Sequence, residues 1–108
     1  MPILSSDPYS VYALLDPFTG DVRYVGASQR PQSRLTWILP HPFTKGTSPV
    51  RRWAQTLSTA PRLEILVDGL SRSEAVRLER EYITGFREIG TDLLNVRPGG
   101  EGLRLFWV

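Results

Sequence analysis

Cysteine is absent from this chain of 108 residues. That excludes disulfides, zinc fingers, RING modules, redox motifs and cysteine nucleophiles together. Histidine occurs once, at His41, so paired-histidine metal sites are excluded as well. Lysine is almost missing: Lys45 is the one lysine among thirteen basic residues, the other twelve being arginine. No apolar run reaches the roughly 20 residues a membrane helix needs, and Met1–Ser10 lacks the charged-then-apolar build of a signal peptide. These absences predict a cytoplasmic protein without membrane association.

What is present describes one folded unit. A hydrophobic fraction of 41% with three Trp, four Tyr and four Phe is that of a globular chain. The length suits a single domain over residues 1–108, with its core at about 9–102. A formal charge of +2 says little by itself, but the arginine bias says more. A guanidinium offers a planar fork of donors that matches phosphate oxygens, whereas an ammonium is a point charge. Nucleic-acid binding is therefore permitted, and so is a plain compositional bias toward arginine.

The local patterns predict the order β-β-α-α-β-α, a small antiparallel three-stranded sheet flanked by helices in an α+β domain. Ser10–Leu15 and Val22–Gly26 are β-prone runs joined by the turn-rich Asp-Pro-Phe-Thr-Gly-Asp, which reads as a hairpin. Pro31 opens a helix to about Leu39, with Leu35, Ile38 and Leu39 inward, stopped by Pro40 and Pro42. Ser48-Pro49 caps a second helix to about Ser58 with the stripe Val50, Trp53, Ala54 and Leu57. Arg62–Val67 is the third strand, bounded by Pro61 and Asp68-Gly69. Ser71-Arg72-Ser73-Glu74 is a capping box, with Leu70 and Ala75 placed as a staple and Gly90 as the stop. Leu93–Val96 and the apolar tail Leu103–Val108 are candidates for a short closing strand.

One carboxylate breaks the pattern of the third helix. At about 100° per residue, Ala75, Leu78, Tyr82, Ile83, Phe86 and Ile89 form an apolar arc, with Glu74, Glu81 and Glu88 opposite. Glu79 projects about 40° from Ala75, inside the arc, and about 160° from Glu81. Burying a lone carboxylate costs several kcal/mol, so Glu79 must be paired, bound to metal or set in a cleft. A structural ion pair with an arginine satisfies that requirement as well as a catalytic site does.

Ser10-Val11-Tyr12 followed by Tyr24-Val25-Gly26 resembles the paired signature strands of the GIY-YIG nuclease family, departing from the first motif at its glycine. Arg34, eight residues after Gly26, falls where that family places its catalytic arginine. Glu79 in Glu-Arg-Glu-Tyr-Ile-Thr-Gly-Phe matches its metal-binding glutamate, Leu94-Asn95-Val96 its late asparagine segment, and Pro-Gly-Gly-Glu-Gly its glycine-rich ending. The resemblance spans about Ser10 to Gly102. Where many relatives carry a His one turn after the arginine this chain has Ile38, and where some carry a Lys after the Tyr-x-Gly motif it has Ala27. His41 lies close in sequence, but Pro40 and Pro42 set it beyond the helix.

The resemblance implies a metal-dependent endonuclease acting on DNA with one Mg²⁺ or Mn²⁺. In that reading Glu79 is the metal ligand, a hard oxygen donor suited to an ion that keeps most of its waters. Arg34 holds a non-bridging phosphate oxygen and stabilises growing charge. Tyr12 or Tyr24 accepts or relays the proton of the attacking water. A free phenol titrates near 10, so this requires a neighbouring cation. Asn95 either orients Glu79 or a water, or caps its local turn. Gly26 leaves room for a close approach, and Arg30, Arg34, Lys45, Arg51 and Arg52 are candidate phosphate contacts. A catalytically weak DNA-binding module, or a nuclease subunit relying on a protein partner or homodimer, is the competing expectation.

Overall fold

The computed structural model describes residues 8–38 and 48–95. Its central strand is Tyr9–Leu15 (β1), in which Val11 to Leu15 are all buried. A run without polar alternation is what a strand covered on both faces requires. β1 pairs antiparallel with Val22–Ser28 (β2) on one side and with Arg62–Leu70 (β3) on the other, giving the order β2-β1-β3. Among the described residues three helices complete the α+β domain: Pro31–Ile38 (α1), Pro49–Thr56 (α2) and Arg72–Glu88 (α3). Among the described residues no helix is long and apolar enough to cross a membrane.

The hairpin turn is built by Asp16, whose Oδ1 accepts from the backbone N–H of Phe18 at 2.8 Å and of Thr19 at 3.1 Å. Beyond it the pairing skips a residue: Leu14 faces Tyr24, yet Leu15 faces Val22. Arg23 is thus the extra residue of a β-bulge. Its guanidinium lies over the Trp53 ring at 5.7 Å, and its Nε donates to the Asp92 carbonyl at 3.0 Å.

The two faces of the sheet carry separate cores. Val11, Val25 and Ala27 pack with Ala75 and Ile83 of α3, joined by Leu70, Leu78, Tyr82 and Phe86. Tyr12 and Leu14 pack with Val50 and Ala54 of α2, joined by Tyr24, Leu35, Trp53 and Leu94. Each of the fully buried Val11, Leu14, Val25 and Ile83 side chains contributes about 1.5–3 kcal/mol from leaving water.

Both ends of α3 form as the sequence predicts. Ser71 Oγ accepts from the Glu74 N–H at 3.2 Å while Glu74 Oε1 accepts from the Ser71 N–H at 2.8 Å. At the other end Gly90, at φ +88°, lets its own N–H reach the Arg87 carbonyl and the Thr91 N–H reach Phe86, a Schellman pair. Ser48 caps α2 by accepting from the Arg51 N–H at 3.3 Å.

Several boundaries differ from expectation. β1 starts one residue earlier and β2 runs two residues further, to Ser28; α2 ends at Thr56. β3 continues through Asp68-Gly69 to Leu70, because register shifts at Val11 let Tyr9 pair with Leu70. Ile89 is 78% exposed rather than part of the apolar arc, since it follows the last helical residue as the chain turns into Gly90. Leu93–Asn95 forms no ladder strand, although the Leu94 N–H does donate to the Arg23 carbonyl at 2.6 Å along the edge of β2. Leu39, His41, Lys45, Val96 and the segments Pro98–Gly102 and Leu103–Val108 lie outside the described residues.

Candidate active site

Tyr12 leaves the central strand opposite Gly26, not opposite Tyr24, which pairs with Leu14. The two tyrosines share one face of the sheet on a diagonal, with ring centroids 6.4 Å apart and planes tilted by 45°. Gly26 is small for a specific reason. A methyl group there would stand 2.6 Å from the Tyr12 hydroxyl and 2.7 Å from its Cζ. The close approach expected at Gly26 is therefore made by Tyr12 itself, whose ring lies across the neighbouring strand and is only 1% exposed.

Glu79 is 3% exposed and is the single buried charged side chain among the described residues. Its charge raises the pKa of both phenols, so a residue of α3 and two residues of the hairpin share one electrostatic environment. Glu81, on the opposite side of the helix, faces solvent and pairs with Arg77 one turn away at 3.1 Å. Arg34 completes the group: its positive charge acts on both tyrosines, lowering their pKa values against the other influences.

Burial is the largest influence on both phenols, because a phenolate would lose its hydration there. For Tyr12 the neighbouring Tyr24 and then Glu79 push in the same direction; for Tyr24, Glu79 does. Arg34 opposes them and does not prevail, its exposed guanidinium being screened by solvent. Both tyrosines consequently titrate above the ordinary phenol value of 10.0. Arg34 alone does not bring either phenol down toward neutral pH, so a tyrosine acting as proton acceptor depends on the second cation the sequence reading allowed, a bound metal ion.

The Asn95 side chain bonds the strand that carries Tyr24 and Gly26. Its Oδ1 accepts from the Val25 N–H at 3.0 Å and its Nδ2 donates to the Val25 carbonyl at 2.8 Å. The side-chain amide thus imitates a strand neighbour for Val25, the residue between Tyr24 and Gly26, and so holds the strand on which both stand. Arg87 in turn donates to the Asn95 carbonyl. Arg23, which sequence reasoning passed over, fixes the residue before Tyr24 through Trp53 and Asp92. A basic residue inside a β-prone run was its one signal.

Of the candidate phosphate contacts, Arg30 is exposed at the start of α1, and its carbonyl accepts the first bond of that helix, from the Arg34 N–H at 3.2 Å. Arg51 and Arg52 occupy the first turn of α2, which holds no acidic residue. Tyr12, Tyr24, Arg34 and Glu79 are brought together; Asn95 and Gly26 support them; Arg30, Arg51 and Arg52 border the same helical layer. No protein-family model, no curated protein and no solved structure matches this chain.

Among the described residues no three His, Asp or Glu side chains cluster. The donor set is one inward carboxylate within electrostatic range of two phenols. That chemistry fits a hard divalent cation that keeps most of its water, and does not fit an ion needing a full protein cage.

Proposed function

We propose that this chain is a GIY-YIG-type endonuclease that hydrolyses DNA phosphodiester bonds with one Mg²⁺ or Mn²⁺ ion. The observation that carries the reading is the buried Glu79 carboxylate, turned into the protein and electrostatically joined to Tyr12, Tyr24 and Arg34. In this reading Glu79 holds the cation, which supplies Lewis-acid stabilisation of phosphate charge. Arg34, exposed beside Tyr12, binds a non-bridging oxygen of the scissile phosphate and offsets the charge that accumulates there. The two phenols, held protonated by burial, donate hydrogen bonds that orient the phosphate or the attacking water.

A second feature supports a polyanionic substrate. The first turn of a helix favours carboxylates, and cations there are disfavoured by about 0.3–1 kcal/mol each. α2 nonetheless carries Arg51 and Arg52 in that turn. Exposed Arg52 is placed there to meet phosphate.

The competing reading, a DNA-binding module without catalysis, draws on Ile38 and Ala27, which stand where relatives of that family carry His or Lys, and on the burial that keeps both phenols protonated in the absence of a metal. Plasmid nicking separates the two. Purified protein with Mg²⁺ or Mn²⁺ is expected to relax supercoiled plasmid, while Glu79→Gln and Arg34→Ala abolish nicking; Glu79→Gln retains DNA binding. DNA binding without cleavage of duplex, branched or single-stranded DNA with either metal supports the binding module instead.

A further inference from the structure

A regular strand turns neighbouring side chains to opposite faces. β2 breaks that rule once. Val22 packs with the α3 cluster, Tyr24 with the α2 cluster, and Val25 with the α3 cluster again. Arg23 stands between Val22 and Tyr24, yet it shares the face of Tyr24, because its guanidinium lies 5.7 Å from the ring centroid of Trp53, which packs in the α2 cluster. Two consecutive side chains on one face are what the bulge produces, with Arg23 and Tyr24 both set against Leu14.

Arg23 is also where three segments meet. Its Nε donates to the Asp92 carbonyl at 3.0 Å, its Nη2 lies 3.8 Å from the Asp92 carboxylate, and its own carbonyl accepts from the Leu94 N–H at 2.6 Å. The hairpin is thereby joined to α2 through Trp53 and to the segment carrying Asn95, whose amide bonds Val25 on the other side of Tyr24. Tyr24 thus stands between two residues that are each fixed from outside the strand. Burial, Glu79 and Arg34 set the titration of Tyr24, and Arg23 is not among these influences, so its effect on the phenol runs through position and not through charge.

We propose that Arg23 is a positioning residue for Tyr24: its grip on Trp53 and Asp92 holds the bulge, and the bulge aims the phenol. The inference rests on the nuclease reading, in which the Tyr24 hydroxyl orients the phosphate or the attacking water. α2 has anchors of its own, since Val50 and Ala54 are buried against the sheet. Loss of the guanidinium therefore disturbs the phenol and leaves the helix that carries Arg52 in place. Such a change falls on the chemical step and not on substrate binding.

The test is Arg23→Met in the full chain, which keeps an apolar stem and removes the charge and the donors. In plasmid nicking with Mg²⁺ or Mn²⁺, with urea unfolding showing the variant folded, kcat is expected to fall by about tenfold or more while KM stays within about twofold of wild type. Arg23→Lys keeps a cation for Trp53 but lacks the Nε donor; it is read the same way, with a smaller fall in kcat, if Arg23→Met does not fold. Wild-type kcat, or a loss carried as much by KM, overturns the proposal. Carbon-13 labelling of tyrosine gives a second readout: the ring signals of Tyr24 shift in the variant while those of Tyr9 and Tyr82 stay. Unmoved Tyr24 signals overturn the proposal even where nicking is impaired. A wild-type chain that cuts no DNA overturns the nuclease reading instead, and the ring signals then decide whether Arg23 places Tyr24.

Discussion

Replacing Gly26 by alanine tests the packing that sets the position of Tyr12. In an ordinary strand this exchange stabilises, by about 0.4–1 kcal/mol, because alanine has fewer unfolded conformations to lose. Here the added Cβ would lie 2.6 Å from the Tyr12 hydroxyl and 2.7 Å from its Cζ, so the ring must withdraw by most of an ångström. Tyr12 is 1% exposed and packed with Leu14, Val50 and Ala54, which leaves little space to withdraw into. Overpacking of this kind costs about 1–3 kcal/mol. The two effects oppose each other and the steric one is larger at its centre, so Gly26→Ala destabilises by about 0–2.6 kcal/mol on balance. For a domain near 100 residues, each kcal/mol is about 4–8 °C in Tm. Urea unfolding followed by circular dichroism reads the value. The decisive comparison is a double-mutant cycle with Tyr12→Leu, which removes the para end of the ring. In that background Gly26→Ala should be neutral or stabilising, giving strong coupling. Equal destabilisation in both backgrounds would refute the contact and, with it, the account of why position 26 is glycine.

Asn95→Ala removes both bonds to Val25 and is expected to cost about 1–3 kcal/mol in urea unfolding; a neutral result would mean water replaces the amide without loss. Ser71→Ala breaks the capping box and should cost about 0.5–2 kcal/mol. It should also let the Glu74 pKa, now lowered by its bonds to Ser71, rise toward 4.5, as carbon-13 NMR titration can read. Because Tyr12 and Tyr24 titrate above their ordinary 10.0 when folded, the unfolded chain releases those protons first. Their contribution to stability is intact below pH 10 and declines as pH rises above it. Thermal melts from pH 8 to 11 should show that decline, and Tyr12→Phe should make it shallower; an unchanged slope would contradict the burial of the hydroxyl.

Local chemistry made much of this architecture legible. The capping box at Ser71, the stop at Gly90 and the unbroken apolar run of β1 each depend on neighbours within a few residues, and each is found where the pattern places it. The inward turn of Glu79 was readable for the same reason, since it needs only the angular step of one helix. Register was not readable. The bulge at Arg23 and the shifts at Val11 move pairings by a residue, and no alternation of apolar and polar side chains records them. That is why β3 extends past Asp68-Gly69 and why the tyrosines stand on a diagonal. The role of Asn95 joins residues seventy positions apart, and the raised phenol pKa values depend on burial by helices whose packing no single segment specifies.

The strand order has a consequence for how the domain comes into being. β1 meets β2 across a short turn, but its other side waits for β3, which pairs Leu15 with Arg62 and Tyr9 with Leu70. During synthesis the hairpin can close early, while the middle strand keeps a bare edge until most of the polypeptide has emerged. Closing that long loop is the slow step for such a topology. The interval is when two nascent copies could zip together along the same edge.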